Sequence, residues 1–240
     1  MLVVNWMSPH LVSAGPDDSL SQASRAMKEY HIRHLPVVEE GRLVGIITDR
    51  DLKGAASSEA NNLQPGELAY FLSRTKVRDV MTMKVHTAHC FDTIEDAALI
   101  MLQYKISGLP VVDDQEKVLG MLSQNDIFRA LVNLTGVVQG GIQFALDLPD
   151  QPGSIRQAAD VIRRFGGRMV GILTTHDRVA QGRRKVYLRM KEVDRSHLME
   201  ITDELSKVGV LLYVLDSEGG ERRLLTYGRG SRDVPPAPEP

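Results

Sequence analysis

Gly45-Ile46-Ile47-Thr48-Asp49-Arg50-Asp51 decides the reading of this chain, because it returns as Gly120-Met121-Leu122-Ser123-Gln124-Asn125-Asp126. Working outward, Pro36-Val37-Val38 returns as Pro110-Val111-Val112, and Asp18-Ser19-Leu20 as Asp92-Thr93-Ile94. Met7 to Met81 and Pro36 to Pro110 are each separated by 74 residues and Asp51 to Asp126 by 75, so one residue has been added in a turn between Val112 and Gly120. A segment built twice with its apolar positions in register predicts a pseudo-symmetric pair, and such pairs form ligand clefts at their shared interface.

Each copy reads as helix, strand, strand, helix. Leu20, Ala23, Met27 and Tyr30 recur as Ile94, Ala97, Met101 and Tyr104 on one helical face. Ser19 with Gln22 forms a capping box at the start of the first helix, and Thr93 with Asp96 a looser counterpart. Strands are predicted over 35–38 and 43–47, then over 109–112 and 118–122, with the last helix of each copy opening at Thr48 or Ser123. The stretch 53–76 reads as a helical connector broken near Pro65-Gly66.

The pattern changes after residue 135. Residues 142–148 alternate as a strand, Pro152-Gly153 makes a turn, and Ile155, Ala158, Ala159, Ile162 and Phe165 mark one face of a helix that Gly166-Gly167 ends. Strands over 169–174 and 186–190, joined by a basic loop 175–185, precede a helix marked by Leu198, Ile201, Leu205 and Val208 and a strand 210–215. This β-α-β-β-α-β order is that of a ferredoxin-like split unit. The expected fold class is therefore α+β. Its divisions are 1–60 with a connector to 76, 77–135, 141–216, and a proline-rich tail over 217–240 expected to be largely disordered.

Twenty-nine basic against 31 acidic residues leave a net charge of −2, which argues against a surface for nucleic acid or anionic membranes. The basic runs Arg183-Arg184-Lys185 and Arg222-Arg223 read as solvated loop or tail residues. A single cysteine, Cys90, suits a reducing compartment, and the first residues lack the charged flank and apolar run of a signal peptide. No stretch is long enough for a membrane span. The expected location is cytoplasmic.

The doubled Pro-Val-Val, turn, Gly-x-x-[Thr/Ser]-x-x-Asp arrangement over about residues 2–132 resembles a tandem CBS pair, the Bateman module. The third unit is similar to an ACT domain through its Asp150-Gln151-Pro152-Gly153 turn and its six-element order. The whole arrangement resembles the acetoin-utilisation B-type regulatory proteins. The resemblance implies binding of an adenosine-containing ligand: AMP, ADP or ATP, with NAD and S-adenosylmethionine as further options. It also implies that Asp51 and Asp126 accept from ribose hydroxyls and that Thr48 and Ser123 contact phosphate. The backbone around Ile32 and Ile106 would then read the adenine edge. The alternative for the Thr/Ser-Asp pairs is simple helix capping, in which the hydroxyl satisfies an orphan amide.

The copies differ in charge. Arg33-His34 and Arg50 in the first stand where the second has Ser107-Gly108 and Asn125. The first copy is therefore expected to take the more highly phosphorylated ligand, unless Arg33 and His34 are merely solvated strand-edge residues. His31-x-x-His34 and His86-x-x-His89 lack metal-ligand spacing. In the third unit Met169 stands where many amino-acid-binding ACT domains carry asparagine, so dimerisation is an alternative to an amino-acid ligand there.

With no room left for a catalytic domain and no nucleophile elbow or phosphate-loop lysine motif, the expected role is non-enzymatic. The chain reads as a regulatory sensor, a homodimer that acts on an unidentified regulated protein. A dimeric scaffold, or a trans-acting regulatory subunit with vestigial sites, is the alternative.

Overall fold

The computed structural model describes residues 1–60, 65–217 and 223–227. The chain divides into two compact units, residues 1–129 and 130–240.

In the first unit the expected order is present in both copies. The first has α1 (Leu20–Glu29), β1 (His34–Glu39), β2 (Arg42–Thr48) and α2 (Asp49–Ala60), followed by α3 (Pro65–Arg74). Pro65 is the first residue of α3, as suits a residue with fixed φ and no amide proton to lose. The second has β3 (Ala88–His89), α4 (Ile94–Tyr104), β4 (Gly108–Val112), β5 (Val118–Ser123) and α5 (Gln124–Thr135), in which the division between the units falls. The two-residue β3 escapes a reading based on periodicity. Ser19 closes its reciprocal capping box with Gln22, and Thr93 Oγ1 accepts from the Asp96 amide at 3.1 Å.

Each copy buries its own core. Leu20, Ala23 and Met27 of α1 pack with Leu35, Val37 and Ile47, and Ala97 and Met101 of α4 with Leu109, Val111 and Leu122. Full burial of each large side chain stabilises by about 1.5–3 kcal/mol.

The segments that precede the copies are exchanged between them. Val3, Trp6 and Met7 belong to the core of the second copy, while Val77, Val80 and Met81 belong to that of the first. The backbones follow: Ser8 bridges Met121, and Thr82 bridges Ile46. The divisions read along the chain are thus crossed in space, since residues 1–9 lie with the second copy. The exchange also explains the doubled glycine. A Cβ on Gly120 would meet the Ser8 carbonyl oxygen at 2.2 Å, and one on Gly45 the Met81 Sδ at 2.5 Å.

The second unit has β6 (Ile142–Pro149), α6 (Ser154–Arg164), β7 (Arg168–Thr175), β8 (Arg183–Lys191), α7 (Leu198–Val208), β9 (Val210–Asp216) and β10 (Arg223–Tyr227). Its five-stranded sheet runs β10-β9-β6-β8-β7, every pair antiparallel. Without β10 this is the split βαββαβ order. Ile142, Phe144, Leu146 and Leu148 alternate onto the face that packs with Ile162 of α6 and with Ile201 and Leu205 of α7.

One expectation is corrected here. Arg183-Arg184-Lys185 begins β8 instead of ending a basic loop, because neighbouring carboxylates neutralise the run: Arg183 Nε lies 2.7 Å from Asp147 Oδ1, and Arg184 pairs with Asp150. Within the tail, residues 223–227 pair with the edge of β9. The remainder, including Arg222 and the proline-rich end, lies outside the described residues. Among the described residues no helix is long and apolar enough to cross a membrane.

Candidate functional site

Both Thr/Ser-Asp motifs fold as reciprocal caps. Asp51 Oδ2 accepts from the Thr48 amide at 2.8 Å and from Thr48 Oγ1 at 2.7 Å, and the Asp51 amide returns to Oγ1 at 3.3 Å. In the second copy the same three bonds between Ser123 and Asp126 measure 2.8, 2.7 and 3.4 Å. The capping reading is therefore realised, and each carboxylate keeps its second oxygen outside the cap. Asp126 Oδ1 meets Arg129 at 3.0 Å, whereas Asp51 has no ion pair among the described residues. The hydroxyl protons of Thr48 and Ser123 are engaged with the carboxylates, so side-chain cations are better placed than these hydroxyls to meet a phosphate.

Each motif opens on a cleft. Thr48, Arg50 and Asp51 line a larger one of about 750 Å³, and Ser123, Asn125 and Asp126 a smaller one of about 270 Å³. Each cleft combines one copy's motif with the other copy's strand entrance. Ile106, Ser107 and Gly108 face Thr48 and Asp51, while Ile32 and Arg33 line the cleft of Ser123 and Asp126. Arg33, His34, Ser107 and Gln124 line both. By the 74-residue correspondence Arg33 stands where Ser107 stands in the larger cleft, and it belongs to the smaller one as well.

The amides of Ile32 and Ile106 are not free, contrary to what the sequence suggests. The amide of Ile32 donates to the Met27 carbonyl and that of Ile106 to the Met101 carbonyl, each at 3.0 Å, closing α1 and α4. His31 and Lys105, at φ 53° and 54°, make the left-handed turns this requires. The amide on offer to a ligand at these positions is thus already used, which leaves the carbonyls.

Sequence reasoning missed several lining groups. Lys53, Lys84, Lys105 and His86 line the larger cleft, and His10 and His31 the smaller. Extending the same 74-residue offset to the exchanged segments would have found most of them, since Lys84 corresponds to His10 and Lys105 to His31. The substitutions run one way. The larger cleft carries Arg50, Lys84 and Lys105 where the smaller carries Asn125, His10 and His31. Lys53 is held by Asp49 at 3.0 Å, a contact that keeps the Asp49 carboxyl below the usual carboxylate range.

Between the clefts, His34 Nε2 lies 2.9 Å from Ser107 Oγ, and its ring covers Gly108, where a Cβ would come within 3.0 Å of it. Burial lowers the affinity of His34 for a proton. Asp49 and Asp51 oppose that shift, and Arg33 adds to it.

In the second unit, the Asp150 amide donates to the Gly182 carbonyl at 2.8 Å, and its carboxylate meets His176 Nε2 at 3.0 Å and Arg184. Gln151 and Pro152 are exposed, and Gly153 caps α6 at φ 90° without a side-chain bond. Met169 packs against the core.

The chain matches the CBS domain family over residues 3–58 and 77–133. It is similar to a CBS domain-containing protein of Dictyostelium discoideum, 32% identical over 135 residues that make up 56% of this chain and 93% of that protein. It is 33% identical over 129 residues to an L-aspartate semialdehyde sulfurtransferase of Methanocaldococcus jannaschii, matching 53% of this chain but only 23% of the enzyme's length. Among solved structures, the CBS domain pair of protein MJ0100, in complex with 5′-methylthioadenosine and S-adenosyl-L-methionine, is 32% identical with a TM-score of 0.47. That match covers 55% of this chain and 95% of that one.

Proposed function

Because the chain belongs to the family of CBS domain-containing proteins, we propose that it is a non-catalytic sensor whose two clefts each take an adenosine-containing ligand. The observation that carries this reading is the twin cap. Two carboxylates, Asp51 and Asp126, are each fixed through one oxygen by a helix start, and the other oxygen stands outside the cap on a cleft wall, unpaired at Asp51 among the described residues and beside Arg129 at 3.0 Å at Asp126. A rigid acceptor of this kind suits the paired hydroxyls of a ribose. Arg50, Lys84 and Lys105 favour AMP, ADP or ATP in the larger cleft, while the less cationic smaller cleft, which Arg33 also lines, holds phosphate less strongly and suits S-adenosylmethionine as well.

Ligand binding shifts the population of two arrangements of the copies, and a coupling of about 1–3 kcal/mol would alter a partner's affinity by about 5–150-fold. The second unit is assigned as an ACT-type domain on its split βαββαβ order and its 150–153 turn, with dimerisation or capture of an amino acid as its role. The exposed Leu99, Leu102 and Phe128 support a homodimer. The regulated protein is identified only by class, as a binding partner responsive to nucleotide.

Calorimetric titration with AMP tests the reading. Asn in place of Asp keeps an oxygen for the cap but substitutes an amide for the oxygen outside it. Asp51→Asn and Asp126→Asn should therefore each remove one binding event from a folded protein. Unchanged binding in the double variant would overturn the assignment.

A further inference from the structure

The two clefts share one cation. Arg33 lines both, and in the smaller one it is the one arginine or lysine among the described lining residues, the others being His10, His31 and His34. The larger cleft has Arg50, Lys53, Lys84 and Lys105 besides. The backbone at Arg33 is fixed, since its carbonyl accepts from the Asp49 amide at 3.0 Å and its neighbour His34 is held against Ser107 at 2.9 Å. Its side chain is exposed and, among the described residues, makes no hydrogen bond or ion pair. A pinned backbone with an unheld guanidinium on a shared wall lets one cation serve either neighbour but not both.

Resting on the adenosine reading of both clefts, we propose that Arg33 is shared between them. A phosphorylated ligand in the larger cleft draws it away from the smaller, which then favours uncharged adenosine derivatives over nucleotides. Loading at Asp51 thereby changes the selectivity at Asp126, and the two sites are antagonistic towards phosphate while indifferent to the nucleoside.

A thermodynamic cycle reads this directly. In Asp51→Asn the remaining smaller cleft should bind AMP more tightly than adenosine. In the intact protein the second AMP should bind about 5–150-fold more weakly than AMP binds to Asp51→Asn, whereas the second adenosine should show no such penalty. In Arg33→Ala, an exposed substitution whose fold is checked by circular dichroism, the AMP penalty should vanish. A penalty that persists in Arg33→Ala would assign the antagonism to direct repulsion between phosphates and overturn the sharing. Absence of any penalty in the intact protein would overturn it equally. Both results leave the adenosine reading standing. If neither AMP nor adenosine binds the intact protein, the adenosine reading itself fails and the sharing falls with it.

Discussion

His34 Nε2 and Ser107 Oγ, 73 positions apart in the chain, lie 2.9 Å from each other and close the wall between the two clefts. The residues at corresponding places in the copies are not the same: His34 answers to Gly108, and Arg33 to Ser107. A pseudo-symmetric pair of identical copies would place two imidazoles against each other here. The glycine makes room for the histidine, so the difference between the copies is what allows them to pack.

The burial of His34 makes stability depend on pH. The folded protein holds His34 below its ordinary value of 6.5 through burial, so between the folded and unfolded values the unfolded chain binds the extra proton. Stability from this residue is therefore present above about pH 6.5 and is lost as pH falls through the folded value. His34→Gln, which can still reach Ser107, should flatten the pH dependence of the first unit's urea midpoint below that pH. An unaltered slope would place the titration elsewhere.

The doubled glycines should differ in what they tolerate. Alanine at Gly120 meets a backbone carbonyl, that of Ser8, at 2.2 Å, whereas at Gly45 the nearest atom is the flexible Met81 Sδ at 2.5 Å. Gly120→Ala is expected to destabilise by about 1–3 kcal/mol, the range for overpacked sites, and Gly45→Ala by less. Urea unfolding followed by the fluorescence of Trp6, which packs in the second copy's core, would measure the first. The opposite order would show that the exchanged segment 2–9 yields more easily than a methionine side chain.

The sequence revealed the order of elements in both copies and the split unit after them, because alternation and helical spacing are local and the repeat doubled the signal. What it hid was set by long-range contacts. The exchange of Val3 and Val77 between cores follows from pairing of segments that have no period of their own. The turn of Ile32 and Ile106 back onto α1 and α4 was hidden because the left-handed residues that make it, His31 and Lys105, are not glycines. Arg183 and Arg184 read as loop because their partners, Asp147 and Asp150, lie 36 and 34 positions earlier. The motif residues of the clefts were legible, but the pairing of each motif with the other copy's strand entrance was not.

Phe144 is fully buried in the second unit's core, which shares no member with the two cores of the first. Phe144→Ala should cost about 3–5 kcal/mol and lower the unfolding transition of the second unit. Adenosine-ligand titrations of the first unit should remain within twofold at temperatures where the variant is folded. Loss of ligand binding in step with loss of the second unit would mean that the units unfold as one.

The two capping aspartates should differ in stability as they differ in surroundings. Asp126 is 6% exposed and holds both the Ser123 cap and Arg129 at 3.0 Å, whereas Asp51 is half-buried and holds the Thr48 cap alone among the described residues. Removing a cap costs about 0.5–2 kcal/mol. Asp51→Ala should fall in that range. Asp126→Ala should exceed it, because it also removes an acceptor from Arg129 and leaves a small void. The salt dependence separates the contributions: the excess at Asp126 should shrink in 1 M salt if the pair with Arg129 supplies it, since screening acts within about 3 Å there, and should persist if packing does. Equal costs for the two substitutions at low salt would show that the Arg129 contact contributes nothing beyond the cap.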